Sequence, residues 1–241
     1  MIDKNEFPPI RPGLLATEIH RQLLQGILTG RLKPGESLRD SVLAAQMQVS
    51  RSPVREALRL LEQSGLVTKV PNRSYVVITF DGPDLRELAA LRLALETLAV
   101  RLLVEKNVDV GSFEDQLKLL RKAVDSNDNA EIVRSDRNFH GSIVARTGHS
   151  RLISTYEGLR DQIELAMIST EAPPRGTYGM VERHGRLSAE LHRAVKTGDA
   201  RPIVLELEDH ILAGMGCPDL LRPLGAVANT ATLPKKGPLL G

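Results

Sequence analysis

Val49-Ser50-Arg51-Ser52-Pro53-Val54-Arg55-Glu56-Ala57-Leu58-Arg59-Leu60-Leu61-Glu62 reads as a turn feeding a short helix. Val54, Leu58 and Leu61 recur at helical spacing with Ala57 at their edge, which makes a stripe to bury. Arg51, Arg55 and Arg59 recur every four residues on a neighbouring face, so one side packs while the other projects cations. Ser52 stands where an N-cap is expected and Pro53 where a first helical residue is, leaving backbone amides turned outward toward a phosphate. Arginine suits such a face because its planar fork spans guanine O6 and N7, or two phosphate oxygens. An isolated basic helix face can also be a solvated face, so the flanking sequence has to decide.

Upstream, Leu14 to Leu28 carries leucine and isoleucine on one helical side and is broken by Lys33-Pro34-Gly35. A second short helix is predicted from Ser41 to Gln48, and Val49-Ser50 turns it into the arginine helix, giving a helix-turn-helix. Downstream, Gly65 to Val70 and Tyr75 to Ile78 are β-rich runs around Pro71-Asn72-Arg73-Ser74, which predicts a small hairpin with Asn72 and Arg73 at its tip. Charge follows this division. Residues 11 to 78 hold ten Lys or Arg against five Asp or Glu, whereas residues 79 to 241 hold 21 basic and 23 acidic side chains, so only the first part is adapted to phosphate.

These residues carry a resemblance. Leu32-Lys33-Pro34-Gly35-Glu36-Ser37-Leu38, Leu43-Ala44, Ser50 to Leu58, Leu61-Glu62, Gly65-Leu66-Val67 and Pro71-Asn72-Arg73 resemble the winged-helix domain of the GntR family of bacterial transcription regulators. The resemblance covers roughly residues 10 to 80. It implies DNA contacts by Arg51 and Arg55 and by the wing tip at Asn72 and Arg73, to which the reading of the helix adds Ser52 and Arg59. Two positions depart from the family pattern: Ser41 replaces an arginine found in some members and Ser74 a frequent glycine, and both bear on operator sequence.

From Pro83 to about Gly214 the pattern is helical, with segments expected at 84–106, 112–124, 129–146, 150–170, 177–197 and 200–214. The fold expected is mainly α: an N-terminal winged helix-turn-helix with a small β-hairpin over residues 10–80, then an all-α antiparallel bundle over 83–214. Residues 217–241, rich in Pro, Gly, Ala and Thr, show no helical period and are expected to be a disordered tail. The single cysteine, Cys217, has no partner within the chain, and neither a charged-then-apolar leader nor an eighteen-residue apolar run occurs. A cytoplasmic protein without membrane contact is the expectation.

Within the bundle, Asp136 and His140 lie four apart on one helix face, so a carboxylate oxygen and an imidazole nitrogen can converge on one ion, or simply pair. Such donors suit zinc, nickel, manganese or iron, with zinc about 2.0–2.2 Å from each ligand atom. Arg92 to Glu96, Asp136-x-x-Phe139-His140, the joint Ala194 to Ala200 and His210 resemble the ligand-binding FCD domain of the FadR subfamily over roughly residues 83 to 214. That resemblance implies a divalent metal held by one Asp and three His, and a small organic acid captured beside it. Asp136, His140 and His210 match three ligand positions; the fourth, counted back from Gly198-Asp199, falls on Ser188, with His184 one turn before and His192 one turn after.

Three arrangements stay open: His184 or His192 reaches the ion, three protein ligands suffice, or no metal binds. His149, His184 and His192 also read as ordinary surface or capping histidines. Arg92, His140, Ser188 and His210 are the candidates for holding an acid effector, though Arg92 can equally pair with Glu96. Together the two resemblances imply an effector-responsive transcription regulator, most often a repressor, binding an inverted-repeat operator as a homodimer. A metal-dependent enzyme in the bundle is the alternative from another class, opposed by the lack of an evident base–nucleophile pair. A DNA architectural protein without effector is a third.

Overall fold

The computed structural model describes residues 14–71, 75–169 and 179–220. Helix α1 (Leu14–Leu28) buries Ile19, Leu23 and Ile27, the i, i+4, i+8 row of its apolar side. It packs across α3 (Arg51–Gln63), which follows the short α2 (Asp40–Gln46). Val54, Ala57, Leu58 and Leu61 of α3 are fully buried, as their spacing requires. The helix starts earlier than its sequence suggests. Ser50, extended at φ −71° and ψ 160°, is the N-cap, so Ser52 is the second helical residue and Pro53 the third. Proline is tolerated there because a first-turn N–H has no intrahelical acceptor to lose.

The hairpin forms from β2 (Val67–Lys69) and β3 (Tyr75–Val77), antiparallel with Val67 opposite Val77 and Lys69 opposite Tyr75. The sequence reading missed a third strand, β1 (Ser37–Leu38), which pairs with the other edge of β3 and gives the order β1-β3-β2. Two residues are too short for any period to register. The wing tip at Asn72 and Arg73, and Ser74 beside it, lie outside the described residues.

Helix α4 (Gly82–Glu105) opens with a reciprocal capping box: Asp81 Oδ1 accepts from the Asp84 amide at 2.8 Å and Asp84 Oδ2 from the Asp81 amide at 3.1 Å. Gly82 and Pro83 therefore belong to the first turn of the helix, and Phe80 packs against both the N-terminal and the bundle cores. Helices α5 (Glu114–Ser126), α6 (Asn129–Arg146), α7 (Ser150–Ser169), α8 (Met180–Thr197) and α9 (Arg201–Gly214) complete the bundle around α4. Of the tail, Cys217 is buried and Leu220 packs on the bundle core; residues 221–241 lie outside the described part.

Helix α7 binds the two parts together. Leu165 is 1% exposed and belongs to the same cluster as Ile19, Val54 and Leu58, and Gln162 Nε2 donates to the Ser64 carbonyl at the end of α3 at 3.0 Å. Gly65, at φ +69°, lets the chain turn there; a β-carbon on it would stand 2.6 Å from Gln162 Nε2. Truncating a buried leucine costs about 2–5 kcal/mol. Leu165→Ala, a change in the bundle, is expected to speed amide hydrogen exchange in α1 and α3; faster exchange confined to α7 would mean that the two parts are energetically separate.

Candidate functional site

The outward face of α3 is the first site. Arg51, Ser52, Arg55 and Arg59 line an open groove of about 940 Å³ together with Lys69 and Tyr75 of the sheet. The three arginines are exposed but differently held. Arg51 is braced by Asp40 of α2, with Nη2 2.9 and 3.0 Å from the two carboxylate oxygens and Nε 3.3 Å from one of them. Arg59 is folded back on Glu56, Nη2 to Oε1 being 2.7 Å. Arg55 lies between them, exposed and without a side-chain hydrogen bond or ion pair among the described residues, so its N–H donors are left unclaimed.

The second site lies inside the bundle, where Asp136 and His140 of α6, His184 of α8 and His210 of α9 bring one ligand atom each to within 4.8 Å of all the others. His184 Nε2 is 3.0 Å from Asp136 Oδ1, His140 Nε2 is 3.1 Å from His210 Nε2, and Asp136 Oδ1 stands 3.7 Å from His140 Nε2 and 4.0 Å from His210 Nε2. Outer contacts fix which nitrogens carry protons. His184 Nδ1 lies 2.8 Å from the Met180 carbonyl, which only accepts, so this nitrogen donates. His140 Nδ1 donates to Glu96 Oε2 at 2.6 Å. Both rings then turn Nε2 inward, His184 toward Asp136 Oδ1 and His140 toward His210 Nε2. His210 Nδ1 is buried and has no hydrogen-bond partner among the described residues.

Around this set lies a second layer of charge. Arg92 is 1% exposed; its Nε donates to Glu96 Oε1 at 2.9 Å and its Nη2 to Asp136 Oδ2 at 3.3 Å. Tyr156 of α7 donates its hydroxyl to the same Glu96 oxygen at 2.9 Å. Burial pushes the Glu96 carboxyl up, but His140 and Arg92 beside it prevail and hold it at about 2. Asp136 is likewise held well below its ordinary range against the effect of burial, by His140, His184 and Arg92. Burial, with His140 and His184 adjacent, drives His210 down to about 2, so this ring is neutral.

The fourth position is thus corrected. Ser188 is half-buried and outside the set, its carbonyl facing His192 Nδ1 at 2.7 Å. His192 is exposed and its Nε2 meets the Gly111 carbonyl, so it too lies elsewhere. The inward row of α8 is Val181, His184, Leu187, Leu191 and Ala194, and following that stripe finds His184 where counting back from Gly198 does not. Arg92 is engaged internally, with Glu96 and Asp136, and not presented to a pocket. Glu96 and Tyr156 were not read as site residues; Tyr156 comes from a helix whose sequence gives no sign of pointing at α4. His149 Nδ1 accepts from the Leu152 amide as a local cap, apart from the cluster.

Comparison with known proteins gives the same two parts. Residues 15–77 match the model of bacterial regulatory proteins of the gntR family, and residues 87–213 match the FCD domain. The HTH-type transcriptional regulator YdhC of Bacillus subtilis is 28% identical over 195 residues, 80% of this chain and 87% of that protein. The gluconate operon transcriptional repressor of Bacillus licheniformis is 29% identical over 74% of both chains. A GntR transcriptional regulator from Rhodococcus sp. RHA1 shares the fold, with a TM-score of 0.72 at 20% identity over 83% of this chain and 95% of that one. No described helix is long and apolar enough to cross a membrane.

Proposed function

The chain belongs to the gntR family of bacterial regulatory proteins and carries an FCD domain, and from that premise we propose that it is a metal-dependent, acid-responsive repressor. It binds an inverted-repeat operator as a homodimer and acts in the cytoplasm. The family and the relatives that the chain resembles are transcription regulators and not enzymes, so a DNA-binding regulator is the secure part. What carries the finer reading is the convergence of three imidazole nitrogens on a buried carboxylate.

Arg55 reads a base edge, since it alone of the three arginines has its fork unclaimed. Arg51, oriented by Asp40, and Arg59, once released from Glu56, supply phosphate contacts, and Ser52 offers its hydroxyl beside them. Asn72 and Arg73 act from the wing.

Asp136, His140, His184 and His210 fit a divalent ion because His140 and His184, with Nδ1 engaged by Glu96 and the Met180 carbonyl, present Nε2 beside the Asp136 carboxylate and His210 Nε2. When bound, such an ion supplies positive charge to the set and a Lewis-acid point for an organic acid. His140 and His184 have their outer nitrogens satisfied by Glu96 and the Met180 carbonyl, whereas His210 Nδ1 has no such partner. A carboxylate from the effector is the natural acceptor for that N–H. Signals leave along α7, which touches Glu96 through Tyr156 and the end of α3 through Gln162. The effector acts through this route only to the extent that it binds the DNA-competent and DNA-incompetent placements unequally.

Two measurements test this reading. Against an operator recovered by selection from randomised duplexes, Arg55→Ala is expected to lose about 1–3 kcal/mol of affinity and to relax preference at one position of each half-site; unchanged affinity and preference would overturn the base-reading role. Elemental analysis of the protein as purified is expected to find about one divalent ion per chain, as four converging ligands imply. The ion is lost in His184→Ala and kept in Ser188→Ala and His192→Ala. Metal retained in His184→Ala would exclude the ligand set.

A further inference from the structure

We infer that the outer side of α4 is the seam through which two copies of the chain pair, antiparallel, across a two-fold axis at Ala94. This rests on the homodimer reading above and assigns it a surface. The middle of α4, Leu88-Ala89-Ala90-Leu91-Arg92-Leu93-Ala94-Leu95-Glu96-Thr97-Leu98-Ala99-Val100, is apolar nearly all round, a pattern proper to a helix covered on every side. One side is covered within the chain: Leu88, Ala89, Leu93, Ala99 and Val100 are buried in the bundle. The other is not. Leu91 and Leu98 are 44% and 45% exposed, with Ala90 and Ala94 exposed between them.

The occupant follows from the symmetry of this side. In an isologous contact, residue i meets j and residue j meets i. About an axis at Ala94, Glu87 faces Arg101 of the second copy and Ala90 faces its Leu98, and each pairing occurs twice. Opposite charges meet, and a small side chain meets a large one, with alanine at the crossing point where the helices come closest. Glu87 and Arg101 are both exposed and have no ion pair among the described residues, although the exposed arginines Arg21, Arg59 and Arg193 are each paired locally. A parallel pairing would instead set Glu87 against Glu87 and leucine against leucine.

The length of α4 agrees independently. Its winged-helix end is at Gly82, twelve residues from Ala94. At a rise of about 1.5 Å per residue the two ends of an antiparallel pair stand roughly 36 Å apart. Successive major-groove half-sites on one face of DNA are spaced by about 34–36 Å. The points at which the two winged helices join α4 thus stand apart by about the interval between two half-sites.

Sedimentation equilibrium of the full chain tests this with a charge exchange. Glu87→Arg and Arg101→Glu each place like charges opposite one another twice, and each is expected to raise the dimer dissociation constant at least tenfold. The double variant Glu87→Arg with Arg101→Glu restores it to within about threefold of wild type, and Leu98→Glu dissociates the dimer without rescue. A wild-type chain that is monomeric at all accessible concentrations would overturn the homodimer reading and this inference with it. A dimer indifferent to both single changes and to Leu98→Glu would overturn the seam alone. Weakening by the single changes without rescue in the double variant would overturn the antiparallel register.

Discussion

A carboxylate that stays ionised at the centre of a helical bundle is costly unless positive charge is brought to it, and Asp136 is such a group. The guanidinium beside it is Arg92, but Arg92 is shared with Glu96, whose own carboxylate is fully buried. The three imidazoles gather around Asp136, and His140 and His184 turn Nε2 inward while Nδ1 meets an outer acceptor. The divalent cation proposed for their focus would bring further positive charge to the buried Asp136 carboxylate.

The same residues tie the site to the rest of the molecule. Glu96 is held by Arg92, His140 and Tyr156 together, and so links three helices, α4, α6 and α7. While Ile163 and Ala166 of α7 pack in the bundle, Gln162 holds the carbonyl at the end of α3 and Leu165 fills the core beneath that helix. A change in the charge held at Asp136 thus has a short, packed route to Arg55, with no flexible joint along it. That continuity supports a sensor better than a structural metal alone would, because a purely structural site needs no contact with α3.

Where the chemistry is local, the sequence made it legible. The arginine row of α3 and the Asp136–His140 pair are i, i+4 relationships, and one helix suffices to see them. The Arg92–Glu96 pair was visible for the same reason, as one of two readings. Longer-range relationships were harder. Counting from a helix joint puts the fourth position on Ser188 and leaves His184 and His192 as equal alternatives one turn away, because it ignores the apolar row that sets which side faces inward. Tyr156 meets Glu96 across 60 positions of sequence, and Gln162 meets Ser64 across 98, and neither contact leaves a periodic trace. Strand β1 is two residues long, shorter than any alternation can reveal. The exchange of Ser52 for Ser50 as N-cap is a smaller error of the same kind, since two serines in a row of candidates differ only in backbone conformation.

The most direct test of the account is the affinity of the full chain for its selected operator, measured by fluorescence anisotropy on chelator-stripped protein and on the same protein reloaded with Zn²⁺. If the charge at Asp136 reaches the recognition helix through α7, the two affinities differ by about 5- to 150-fold, the ordinary range of coupling between linked sites. The difference collapses in Gln162→Ala, which still binds the metal. Equal operator affinity for stripped and reloaded wild-type protein would contradict the account.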